Sequence, residues 1–157
     1  MLRILVCVAA LVAAPALGFA QGERMTPAPW KMLTGKDAGA AATCIENDPE
    51  EGCLIVRCNP QRGLELVMRE GLPWEPTPPS FEFQIGSWRI MLPFSRVTEN
   101  ELATSLAEQD ELLRRFASTR EPLVYVFTKG IEKGYSTAFD LKNAGRLITR
   151  LRDSCRR

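Results

Sequence analysis

The chain has 157 residues, with 20 Lys and Arg against 19 Asp and Glu and no histidine. So even a charge balance excludes the broad basic field of a nucleic-acid or anionic-membrane binder. The missing histidine excludes Ser-His-Asp triads and Cys-His nucleophile pairs, and the length suits one domain around one hydrophobic core.

Residues 1–20 read as a signal peptide. Arg3 gives a short positive start, residues 4–14 form an apolar run, and Gly18 and Ala20 supply the small residues of a cleavage site after Ala20. The run is too short to span a bilayer, and no later stretch is long enough. The chain is therefore expected to be exported to the periplasm. The leader carries off Cys7 and one basic residue, which leaves the charges balanced and four cysteines, Cys44, Cys53, Cys58 and Cys155. An even count in an oxidising compartment points to two disulfides. With no histidine and no Cys-x-x-Cys pair, no metal and no cofactor are expected.

Residues 21–43 read as an N-terminal arm and loop. Pro27 and Pro29 make the arm irregular, residues 30–33 suit a short strand, and 34–42 suit a loop or weak helical turn. Residues 44–157 read as a single α+β domain. Residues 45–52 are an acidic turn with Pro49 and Gly52, without the ligand spacing of a calcium loop. Residues 53–58 form the clearest strand, and 64–69 return beside it, with Leu64, Leu66 and Met68 facing the core opposite Leu54 and Val56. Four prolines keep 70–80 extended. Trp74 within it either folds over the core edge or serves as an exposed anchor.

Residues 81–85 alternate, Gly86-Ser87 make a two-residue turn, and 88–94 return. Thr98-Glu99-Asn100-Glu101 fits a capping box, so a helix is expected from there to about Ser118. Leu102, Leu106, Leu113 and Ala117 would share a face of it, with Asp110/Arg114 and Glu111/Arg115 as outer pairs. Residues 122–129 and 135–141 suit paired strands. Asn143 is a candidate N-cap for a last helix whose apolar positions are Ala144, Leu147, Ile148, Leu151 and Cys155. The fold class is thus α+β, an antiparallel sheet or small sandwich of about six to eight strands in hairpins with two packed helices, stapled by disulfides.

Cys53 and Cys58 stand ~16 Å apart on one strand and on opposite faces, too far to bond each other. Cys44 and Cys53 flank a hairpin loop. Cys58 shares the Leu54/Val56 face, and Cys155 the core face of the last helix. Cys44–Cys53 with Cys58–Cys155 is the expected pairing. Cys44–Cys58 with Cys53–Cys155 remains the alternative.

The stretches ending at Arg57-Cys58 and running through Phe139-Asp140-Leu141 to Cys155 resemble small exported proteobacterial domains, including the VasI-like proteins associated with type VI secretion. Those proteins similarly have a strand ending in Arg-Cys, a returning strand, a helix, a closing F-x-L strand and a helix ending in Cys. Where they carry Gly after the F-x-L strand, this chain has Lys142-Asn143, and the Cys44/Cys53 pair is an addition. Gly134, Tyr135, Ala138 and Phe139 also resemble invasion-associated locus B proteins. The resemblance implies a periplasmic, non-enzymatic accessory role and supplies no catalytic residue.

Lys142, Arg146, Arg150, Arg152, Arg156 and Arg157 crowd the last helix against Asp153 alone. Some of that charge suits the C-terminal end of a helix dipole. The rest makes a candidate surface for an acidic partner, and Trp74, Arg146, Arg150 and Arg157 are the candidate partner-binding residues. No catalytic motif is present, so an exported periplasmic binding or accessory protein is expected, acting on another envelope protein and not on nucleic acid. An envelope hydrolase using carboxylates and a purely structural envelope component are the alternatives.

Overall fold

A computed structural model describes residues 26–46, 52–61, 63–70, 80–107, 109–118, 121–129 and 136–155. The leader, most of the acidic turn, Trp74, Arg156 and Arg157 lie outside them.

The strands are β1 (Thr26–Pro27), β2 (Lys31–Met32), β3 (Ala40–Glu46), β4 (Cys53–Asn59), β5 (Gly63–Arg69), β6 (Ser80–Ile85), β7 (Trp88–Pro93), β8 (Ser95–Thr98), β9 (Glu101–Ser105), β10 (Leu123–Lys129) and β11 (Ser136–Asp140). The helices are α1 (Asp110–Ala117) and α2 (Ala144–Cys155). All strand pairs are antiparallel. A seven-stranded sheet runs β1-β3-β4-β5-β9-β8, with β2 following β1 along the same edge of β3, and a four-stranded sheet runs β11-β10-β6-β7. This is a disulfide-stapled α+β fold, with more strands than the hairpins alone suggested.

Period-two alternation produces one shared core. From the larger sheet it takes Leu54, Val56, Leu64, Leu66, Met68 and Leu102, and from the smaller sheet Phe81, Phe83, Val124, Val126 and Phe139. Leu54 stands opposite Met68, and Val56 opposite Leu66, as the sequence indicates. Helix α2 lies across β3, β4 and β5 and buries Ala144, Leu147, Ile148 and Leu151; α1 packs beside it with Leu112, Leu113 and Phe116.

The stretch expected to be an arm and loop contributes to this core. Lys31 and Met32 pair with β3, Ala40–Ala42 belong to β3 itself, and Trp30 is buried against Phe116. The Trp30 amide donates to the Lys142 carbonyl at 3.1 Å, which ties the arm to the turn before α2.

The helix expected from Glu99 to Ser118 is a correction. Its first part is β9, held by β5 on one side and β8 on the other. Leu102 and Leu106 are four residues apart, an interval that suits both a helix face and a strand face. Leu102 opposite Met68 decides for the strand. The Thr98 hydroxyl accepts from the Asn100 amide at 3.3 Å and so caps the β8–β9 turn. The helix itself begins at Asp110.

The outer face of the larger sheet has its own order. Ala42, Ile55, Val67 and Ala103 form a buried apolar row across β3, β4, β5 and β9. An ion-pair chain flanks it: Asp37–Arg69–Glu101–Arg57–Glu65.

Both expected disulfides are present. Cys44 and Cys53 face each other in register on β3 and β4, and Cys58 bonds Cys155 across 97 residues of sequence. Cys58 departs from expectation in one respect. Alternation puts it on the Leu54/Val56 face, but it stands near the end of β4 and is exposed. That bond therefore clasps the rim of the core.

Candidate binding cleft between the two helices

The cleft is made by two matching ridges. On α1, Asp110, Leu113, Arg114 and Ala117 follow one another at helical spacing; on α2, Gly145, Ile148, Thr149 and Arg152 do the same. Together they line a hollow of about 470 Å³. The end of α1 meets the start of α2 at its tightest point. A Cβ on Gly145 would stand 2.6 Å from the Ala117 Cα, so glycine alone permits this approach. At the other end the cleft continues into a smaller hollow of about 170 Å³, lined by Gly63, Leu64, Leu106, Ala107 and Cys155 together with Asp110, Leu113 and Arg152.

Arg152 belongs to both hollows. Its Nε is sealed from solvent and has no acceptor among the described residues. A buried donor left unpaired costs about 1–3 kcal/mol. Asp110 also borders both hollows and forms no ion pair among the described residues. The expected Asp110/Arg114 pair is a correction: Arg114 turns instead to Glu111, at 2.5 Å. The Glu111/Arg115 pair is present at 2.7 Å, and Arg115 also lies over the Trp88 ring. Glu111 thus pairs with Arg115 and with Arg114, which also lines the cleft, and the exposed Asp110 borders the cleft with no ion pair among the described residues.

Arg146 and Arg150, expected as partner-binding residues, are exposed. Arg146 borders a third hollow of about 290 Å³ with Phe116, Ala117, Ser118, Leu141, Asn143 and Gly145. Arg150 lies outside the helix cleft. The basic residues of the last helix are therefore divided between two settings, and the half-buried one is Arg152, which sequence reasoning counted in the basic crowd without singling out. Its signal was its spacing, four residues after Ile148 and seven after Gly145. Trp74 and Arg157 lie outside the described residues.

The turn into α2 accounts for the Lys142-Asn143 departure. Asn143 has φ +69°, a left-handed conformation that glycine adopts most readily and asparagine tolerates. The Asp140 carboxylate accepts from the Lys142 amide at 2.5 Å, and the Asn143 carbonyl accepts from the Leu147 amide at 3.2 Å, which starts the helix.

Among the described residues no group of three or more His, Cys, Asp or Glu is placed to hold a metal ion. No described helix is long and apolar enough to cross a membrane. Comparison with protein-family models, with curated proteins and with solved structures finds no match.

Proposed function

We propose that this chain is an exported periplasmic binding or accessory protein, and that the cleft between α1 and α2 is where it binds. The observation that carries the reading is the place of Arg152: a charged side chain at the meeting of two hollows. Two disulfides fit an oxidising compartment, and the signal-peptide pattern of residues 1–20 and the resemblance to exported accessory domains agree with it. Asp110 is the one carboxylate among the described residues lining the two hollows. Hydrolysis by carboxylates commonly uses a pair, so the composition of the cleft favours binding over turnover.

The test is a photo-crosslinking residue in place of Thr149, irradiated in the native host and read by intact mass. The reading expects an adduct that is lost with Arg152→Gln and kept with Arg150→Glu. An adduct that depends on Arg150 instead would move the site to the outer face of α2, and no adduct would remove the cleft from consideration.

A further inference from the structure

We infer that the Cys58–Cys155 bond is a redox latch on the cleft, opened by an external dithiol while Cys44–Cys53 stays closed. The inference rests on the binding reading above and adds a means of controlling that site.

The two disulfides differ in what holds their cysteines once the bond is open. Cys44 and Cys53 stand opposite each other on paired strands, with Cα atoms 4.1 Å apart. Each strand is also held on its far side: the Ala28 amide donates to the Cys44 carbonyl at 2.9 Å, and Cys53 stands opposite Arg69 on β5. Both cysteines are half-buried and packed against the apolar row of Ala42, Ile55 and Val67. Reduced, these thiols stay side by side, so the bond re-forms readily. Cys155 lacks that support. It ends α2, one turn beyond Leu151, the last buried position of the helix. Asp153 and Ser154 are exposed, and the Ser154 hydroxyl donates only to the helix's own Arg150 and Leu151 carbonyls, at 2.8 and 3.1 Å. Among the described residues, no hydrogen bond or ion pair joins Asp153 or Ser154 to the sheets. A helix end held in this way frays once its tie is cut, and the two thiols then separate.

Access favours the same bond, because Cys58 is exposed near the end of β4. One thiolate of the dithiol attacks the Cys58 sulfur, forms a mixed disulfide and expels Cys155 as a thiolate. The second sulfur of the dithiol then displaces Cys58. The exchange delivers two electrons and two protons to Cys58 and Cys155, and the reagent leaves as its own disulfide. An oxidising compartment keeps the latch closed until such a dithiol reaches it.

The turn that is released belongs to the cleft. Cys155 and Arg152 both line the smaller hollow, and Arg152 lines the larger one as well. When the turn frays, the smaller hollow loses part of its wall and Arg152 loses its fixed place. The oxidised chain is therefore the binding form.

The test places the purified protein in mixtures of reduced and oxidised dithiothreitol, quenches with acid, alkylates the free thiols and maps them by peptide mass. Cys58 and Cys155 are expected to be alkylated at about a tenfold lower ratio of reduced to oxidised reagent than Cys44 and Cys53. At that ratio amide exchange should rise over residues 152–155 while β3, β4 and β5 stay protected. Opening of Cys44–Cys53 before Cys58–Cys155, or of both together, would overturn the latch. So would selective opening that leaves exchange at the end of α2 unchanged. A Thr149 photo-adduct formed at the parent's level by the Cys58→Ser/Cys155→Ser chain would overturn the control of the cleft. The thiol and exchange readouts need no ligand, so the latch can fail while the parent's Thr149 adduct still depends on Arg152, and the binding reading then stands.

Discussion

Arg57 on β4 joins Glu101 on β9 across the intervening strand, Nη1 to Oε2 at 3.0 Å. The register sets Arg57 opposite Glu65 and Arg69 opposite Glu101, so this diagonal bond links two neighbouring ion pairs into one chain. Glu65 is its sensitive member. Its side chain is 3% exposed, and it accepts from Arg57 Nε at 2.6 Å and from Asn59 Nδ2 at 3.1 Å. Arg57→Ala strands that carboxylate out of water. We expect a loss of about 2–3 kcal/mol, below the about 3–5 kcal/mol of a fully buried pair because the guanidinium is partly solvated. Glu101→Gln keeps the shape and should lose only about 1 kcal/mol. Urea denaturation of both variants checks the ranking; equal losses would mean that Glu65 finds another partner.

Two acids give the stability a pH dependence of opposite sign. Burial pushes Glu70 from 4.5 up to about 7. Between those values the folded chain holds a proton that the unfolded chain has lost, so stability falls as pH rises through that window. The group is only half-buried, and we expect the fall to be about 1–2 kcal/mol. Asp37 acts the other way. Its hydrogen bond to Arg69 holds the carboxyl below its ordinary 3.8, so that contribution is present above 3.8 and is lost as pH falls below it. Urea midpoints measured at about pH 5 and about pH 8 should differ in the parent and converge in Glu70→Gln. An unchanged difference in that variant would assign it to another group.

How much of this was legible depended on whether a period was unambiguous. Phe81, Phe83 and Ile85 alternate strictly around Glu82 and Gln84, and Gly86-Ser87 has one good use, so that hairpin was readable to within one residue at its outer ends. The β4 strand excluded the Cys53–Cys58 pairing, because one strand cannot bring the two together, and the hairpin position of Cys44 and Cys53 favoured the observed pairing over the other that remained. Leu102 and Leu106 misled because their spacing serves both periods, and only the partner strand β5 resolves it. The role of Trp30 was hidden because a two-residue strand carries no period. The cleft needed tertiary information. Asp110 and Arg152 are 42 positions apart in sequence numbering, and nothing local says that Glu111 takes Arg114 away from Asp110.

The two disulfides should separate by loop length. Cys58–Cys155 spans 97 residues and Cys44–Cys53 spans 9. In the chain-entropy model the first stabilises by about 4–5 kcal/mol and the second by about 2–3 kcal/mol. A Cys58→Ser/Cys155→Ser double variant should therefore fall further in chemical denaturation than Cys44→Ser/Cys53→Ser. The first also releases the end of α2, where Cys155 borders the smaller hollow. Its amide exchange should rise along α2 while β4 and β5 stay protected. A uniform rise through the whole chain would show that the clasp stabilises the domain globally and not the helix in particular.

The last prediction sets two effects of one methyl group against each other. Gly145 is in the first turn of α2, where alanine would raise helix propensity by up to about 1 kcal/mol. Its added Cβ would also stand 2.6 Å from the Ala117 Cα, 3.0 Å from its Cβ and 3.1 Å from its carbonyl oxygen. Two of those atoms are backbone and cannot rotate aside, so α1 must move as a unit or α2 must tilt. Overpacking of this kind costs about 1–3 kcal/mol, and we expect Gly145→Ala to be net destabilising by about 1 kcal/mol or more. Ala117→Gly in the same chain removes the Cβ but leaves the Cα in place, so it should restore only part of the loss. If Gly145→Ala instead proves more stable than the parent, the two helices are not held at this distance, and the cleft they line is wider and more pliable than the Gly145–Ala117 contact implies.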